Sequence, residues 1–156
     1  SKQPVQHHTK TAMSETPGFV DDYLAYLLAR ASHLISSEFH AVVEASGLSL
    51  MEWRVMASLS GKATLSVGEL ADIVLAKQPT VTKLVGRMAQ AGWVQRVDAP
   101  HDKRQSLVSL TPGGHRKVKP LLNQARLHEA QVMTEIGADE VALLKRTLEQ
   151  LIQARC

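Results

Sequence analysis

Lys77-Gln78-Pro79-Thr80-Val81-Thr82-Lys83-Leu84-Val85-Gly86-Arg87-Met88 is the stretch on which the fold turns. Pro79 fits the first turn of a helix, where its missing N–H leaves no carbonyl unpartnered. Val81, Leu84, Val85 and Met88 then recur at helical spacing and make one apolar face. The opposite face carries Gln78, Pro79, Thr80, Thr82, Lys83 and Arg87. A helix that enters a DNA major groove needs this division: a core side, and small, polar or cationic groups aimed at base edges and phosphates. Gln78 suits adenine, the threonines suit phosphates or a thymine methyl, and Lys83 suits a phosphate or guanine. Many surface helices have a polar face, so the neighbouring segments decide.

Upstream, Ser66-Val67-Gly68-Glu69 is a capping box that opens a short helix through Leu70 and Ile73. A short helix, a tight turn and the Gln78–Arg87 helix make a helix-turn-helix. Downstream, Gly92 ends the second helix, Trp93 to Val97 reads as a strand, Asp98 to Gln105 as a polar turn, and Ser106 to Leu110 as a returning strand. The hairpin tip holds His101, Asp102, Lys103 and Arg104. Cations on a protruding hairpin suit the minor groove, which concentrates negative potential. A carboxylate there is unfavourable beside phosphates unless it orients a cation, so Asp102 is expected to pair with Arg104 or the nearby backbone.

Long amphipathic helices flank this centre. Phe19 to Ala45 carries a continuous apolar stripe, and Ser49-Leu50-Met51-Glu52 is a second capping box opening a helix through Trp53 and Leu59. Thr111-Pro112 starts a helix that runs to about Ile136, with Pro120 a candidate kink. Gly137 breaks it, and Asp139 to Ala154 forms the last helix. The expected fold is mainly α with a small β-wing: a winged helix-turn-helix lobe over 48–111, dimerisation helices over 18–47 and 112–156, and a disordered leader over 1–17. The terminal helices carry more apolar surface than a small winged domain buries. A second copy related by a two-fold axis would cover it.

Charge agrees with this division. The chain of 156 residues has a formal net charge of +3, yet 77–119 holds nine Lys and Arg against Asp98 and Asp102, a local +7 that leaves −4 elsewhere. A basic centre between acidic ends suits a local polyanion contact. Aromatic residues are 4%, too few for the stacking platforms that bind single-stranded nucleic acid. No run of apolar residues is long enough to span a membrane. The single cysteine, Cys156, permits no intrachain disulfide, so a cytoplasmic protein is expected. No P-loop, nucleophile elbow, dinucleotide fingerprint or H-E-x-x-H is present, so no enzyme is expected. The seven histidines (7, 8, 33, 40, 101, 115, 128) include no His-x-x-x-His pair, and no metal site or cofactor is expected.

The segments Leu48 to Met56, Leu70-Ala71 through Gln78 to Val85, Gly92-Trp93-Val94, Asp102-Lys103-Arg104 and Leu110-Thr111-Pro112-Gly113-Gly114 together resemble the MarR family of winged helix-turn-helix regulators. The resemblance spans roughly Asp21 to Ala154. It implies a homodimer built from the first and last helices, bound to pseudo-palindromic double-stranded DNA, usually as a repressor released by a small ligand. The family's wing pair falls on Asp102 and Arg104, and its recognition contacts fall on Gln78, Pro79, Thr80, Thr82 and Lys83. Its ligand contacts fall on Arg30, His33, Leu50 and Trp53. A cation, an imidazole and an indole suit an aromatic or heteroaromatic carboxylate as effector. The competing reading is a winged-helix module with an architectural or protein-binding role that reads no sequence.

Overall fold

A computed structural model describes residues 18–99 and 102–156, with side chains described outside 98–105. The leader and His101 lie outside the described residues. In chain order the elements are α1 (Leu24–Ala45), α2 (Leu50–Leu59), β1 (Leu65–Ser66), α3 (Val67–Val74), α4 (Gln78–Gln90), β2 (Val94–Ala99), β3 (Asp102–Leu110), α5 (Pro112–Ile136) and α6 (Ala138–Gln153). Two compact units divide the chain, one ending at Leu34 and the other covering Ile35–Cys156.

In the first unit the expected helix from Phe19 begins later. Phe19–Asp21 is a single 3-10 turn, and α1 starts at Leu24. The Asp21 carboxylate accepts the Gly18 N–H at 2.7 Å, which favours the tight turn over an immediate α-helix. Phe19 and Tyr23 face each other with ring centroids 4.9 Å apart.

The second unit holds the main core. Phe39, Val43, Leu48, Val55, Met56, Leu59, Leu70, Val74, Val81, Leu84, Val85 and Met88 pack with Val94, Val108, Leu110, Val118 and Leu121. Each such side chain contributes on the order of 1.5–3 kcal/mol when fully buried. The caps are those that the serines and threonine signal. Ser49 Oγ accepts Glu52 N–H at 3.1 Å while Glu52 accepts Ser49 N–H at 2.9 Å. Thr111 Oγ1 accepts Gly114 N–H at 3.0 Å at the start of α5. At Ser66 only half the expected box forms: its Oγ accepts Glu69 N–H at 3.0 Å, and the Glu69 carboxylate accepts from that same hydroxyl at 3.1 Å. The reason is that Ser66 is also a strand residue, paired opposite Leu107.

That short strand makes the sheet three-stranded and antiparallel, in the order β1-β3-β2. The hairpin strands also run further than their polarity suggests. β2 and β3 stay paired as far as Ala99 opposite Asp102, with a register shift between Asp98 and Ala99. The polar stretch read as a turn is therefore mostly ladder, because backbone pairing does not require apolar side chains. α5 stays helical through Pro120. Among the described residues no helix is long and apolar enough to cross a membrane.

Candidate nucleic-acid interface

The α3–α4 pair is held from behind. Val67, Leu70, Ala71 and Val74 of α3 and Val81, Leu84, Val85 and Met88 of α4 are all buried. Leu75 makes the reversal between them in the left-handed region, at φ 57° and ψ 44°. With the apolar face fixed inward, helical geometry turns the other face outward. Gln78, Pro79, Thr80, Thr82, Lys83 and Arg87 are all exposed. Thr80, Lys83, Gly86, Arg87 and Gln90 line a shallow hollow of about 490 Å³ along this face. The expected reading residues thus share one exposed surface. One role changes: Thr82 Oγ1 donates to Gln78 O at 3.0 Å, so its proton is spent within the helix, which leaves its methyl group and an acceptor lone pair to contact DNA.

The hairpin rises beside this surface. β3 carries the backbone of Asp102, Lys103 and Arg104 at its distal end. Their side chains are outside what the structure describes, as is His101 altogether. Arg96, a residue the sequence reading passed over, joins the two parts: its Nη2 donates to Thr82 O at 3.3 Å from the root of β2. Arginines at a strand root carry no periodic signal.

The turn that launches α5 is held closely against the end of α4. Thr111 N–H donates to Trp93 O at 3.1 Å, and Thr111 Oγ1 donates to Gly92 O at 2.5 Å. Lys117 reaches back with Nζ 2.7 Å from Ser46 O and 5.7 Å from the centre of the Trp93 ring.

A second hollow borders α2. A cavity of about 200 Å³ is lined by Phe39, His40, Leu50, Trp53, Arg54 and His128, together with Ile35, Ser36 and Ala125. Leu50 and Trp53, both expected at an effector site, are brought together there. Phe39 stands 5.5 Å from the Trp53 ring and stacks on His128 at 6.0 Å. The Nε2 atoms of His40 and His128 are buried and have no hydrogen-bond partner among the described residues. Glu38 Oε2 is 3.7 Å from His128 Nε2, too far for a hydrogen bond. Buried polar nitrogens without partners are uncommon and call for an explanation. Arg54 adds an exposed cation among the lining residues. His40, Arg54 and His128 were missed because only tertiary packing brings a residue of α5 against α1 and α2. Arg30 and His33 lie in the first unit, where Arg30 Nη1 donates to Tyr26 Oη at 3.2 Å. No group of three or more potential metal ligands occurs among the described residues.

Comparison with known proteins follows the same outline. A sequence profile described as the MarR family matches residues 46–105. A solved MarR family transcriptional regulator, SPO1453 from Silicibacter pomeroyi DSS-3, is 34% identical, with a TM-score of 0.78 over 88% of this chain and 98% of that one. The transcriptional activatory protein BadR of Rhodopseudomonas palustris is 29% identical, over 83% of this chain and 75% of BadR. NadR, solved in complex with 4-hydroxyphenylacetate, has a TM-score of 0.78 over 96% of this chain and 97% of its own, at 20% identity, a likeness of fold.

Proposed function

This chain belongs to the MarR family, and from that premise we propose that it is a dimeric transcriptional regulator that binds a pseudo-palindromic operator and is released by a small aromatic or heteroaromatic carboxylate. The observation that carries the DNA-binding part is the exposed outer face of α4, with Gln78, Pro79, Thr80, Thr82, Lys83 and Arg87 presented together on a helix whose other side is buried. Each subunit would lay this helix in a major groove and its wing in the flanking minor groove. Two such helices then sit about 34 Å apart, one turn of duplex. Occupying a promoter in this way represses by exclusion. Since BadR is named as an activator, in vitro transcription with the operator at its natural position reads the sign.

The wing is tested by Arg104→Ala. Removing a groove-inserted guanidinium is expected to weaken operator binding by about 1–3 kcal/mol. Gel shifts at matched salt, with random duplex as competitor, measure it. Unchanged affinity removes the wing from the interface, and equal affinity for operator and random DNA would favour an architectural module instead.

For the effector, support comes from the cavity behind α2. A void of roughly 150 Å³ holds one benzene ring, so about 200 Å³ admits a single ring with a small acidic substituent. Phe39 and Trp53 supply ring contacts, Arg54 a cation, and the unpartnered Nε2 atoms of His40 and His128 hydrogen-bonding groups. That NadR was solved with 4-hydroxyphenylacetate is consistent with this class. For Arg30 and His33 the only support is the family resemblance. A ligand bound in this cavity shifts the spacing of the reading heads by as much as its affinities for the two spacings differ. Thermal shift with a panel of benzoates, nicotinates and arylacetates is expected to raise the melting temperature. A ligand present at 100 times its Kd adds about 2.7 kcal/mol of stability. His40→Leu/His128→Leu is expected to remove that response while leaving DNA binding intact, since replacing unpartnered buried nitrogens with apolar groups costs little. A double variant that responds like the parent would place the ligand elsewhere.

A further inference from the structure

We infer that the cleft between α4 and the hairpin is a phosphate seat, in which Arg96 holds one backbone phosphate of the duplex. This rests on the DNA-binding reading above. The cleft has a volume of about 330 Å³, and Ser66, Gly68, Gln78, Thr82, Arg96 and Ser106 line it with Val67. Among the described side chains its lining is free of carboxylates. Glu69, next to it in sequence, is held against the Ser66 hydroxyl as part of the α3 cap.

Arg96 is exposed, and its guanidinium lies along the flank of α4. Nη2 donates to Thr82 O at 3.3 Å and would lie 3.5 Å from a Cβ built on Gly86. That bond uses one of the five N–H groups of a guanidinium. The carbonyl it meets lies inside a helix, where the ladder already supplies a donor. The contact is therefore not required to satisfy α4. Its effect is to tether one prong of the planar fork, which lines the cleft. No carboxylate pairs with Arg96 among the described side chains.

Geometry supplies the ligand. When α4 occupies a major groove and the wing the adjacent minor groove, the sugar-phosphate strand that separates those grooves must cross between them, and the cleft lies there. A guanidinium recognises phosphate in two-pronged fashion and carries a charge that an ammonium presents only as a point. Gln78 and Ser106 add neutral polar groups beside it.

Affinity for operator and for random duplex is measured across a salt series for the parent, Arg96→Met and Arg96→Lys. Arg96→Met is expected to weaken both duplexes alike, by about tenfold or more, as loss of a charged hydrogen bond implies. The slope of log affinity against log salt should fall by roughly 0.9 for each subunit engaged. Arg96→Lys should keep the slope and recover only part of the affinity. Methylphosphonate scanning of the operator should show one position per half-site where neutralisation weakens the parent and leaves Arg96→Met unaffected. An unchanged slope, a loss confined to the operator, or no such position overturns the inference. Should Arg96→Met fail to fold, the lysine variant and the scan with the parent protein decide. A parent protein that binds neither duplex at low salt defeats the DNA-binding reading itself, which is a different result.

Discussion

Gly114→Ala is expected to destabilise the protein by about 3 kcal/mol or more, whereas Gly113→Ala beside it should be mildly stabilising, by up to about 1 kcal/mol. A Cβ at Gly114 would stand 2.0 Å from Trp93 O, 3.0 Å from Trp93 C and 3.2 Å from Leu110 Cδ2. Two of these are backbone atoms, so no rotamer change relieves the clash. The first turn of α5 would have to lift off the Gly92–Trp93 turn. That motion strains the Thr111 N–H bond to Trp93 O and the Thr111 hydroxyl bond to Gly92 O, and it loosens Val118 and Leu121, which are buried on the same helix. Loss of an N-cap alone costs on the order of 0.5–2 kcal/mol, and opening space around a buried leucine costs more. Alanine's better helix propensity returns about 1 kcal/mol. At Gly113 the nearest atom to a built Cβ is Gly92 O at 3.4 Å, an ordinary contact, so there the propensity gain stands nearly alone. In thermal unfolding the Gly114 variant should melt roughly 10 °C lower, given about 2–4 °C per kcal/mol at this size. A Gly114→Ala protein within 1 kcal/mol of the parent would mean that α5 does not dock on the wing's root as described.

This pair of glycines also shows what the sequence discloses and what it withholds. Gly113-Gly114 is visible as part of a motif, yet the difference between the two residues is invisible until Trp93 is placed beneath one of them. The same holds elsewhere. Ser49, Glu52 and Thr111 announce their helices, because a cap is a local event within four residues. The outward face of α4 is legible because its buried face has helical period. β1 is not, since Leu65-Ser66 is too short to show alternation. The length of the hairpin was underestimated because side-chain polarity was read as a turn, although the ladder is made by backbone groups. The cavity behind α2 was half legible: Leu50 and Trp53 were in view, while His40 and His128 stand 88 positions apart in the chain and meet only in the folded core.

Leu144→Asp is expected to abolish self-association and to weaken operator binding by two to four orders of magnitude, without unfolding the subunit. Two separate surfaces lead to this. In the first unit Tyr23, Leu24 and Leu27 are 49%, 57% and 44% exposed, and on α6 Leu143, Leu144 and Ile152 are 58%, 45% and 61% exposed. Apolar surface of this extent calls for a partner, which in the proposed dimer a second copy supplies with two-fold symmetry. Because the single chain leaves Leu144 half in solvent, aspartate there does little to the fold. In a dimer the same carboxylate is buried twice, once from each subunit, and an unpaired buried charge costs several kcal/mol each time. Operator binding falls with it, because joining two half-site readers raises avidity about 10² to 10⁴-fold over one alone. Ala142→Asp, roughly 160° around α6 from Leu144, is the matched charge control and should remain dimeric. Sedimentation equilibrium at micromolar concentration, with gel shifts on full and half operators, separates the possibilities. A Leu144→Asp protein that still sediments as a dimer removes this face of α6 from the interface. A monomer that holds the full operator as tightly as the parent would show that this chain reads DNA one half-site at a time.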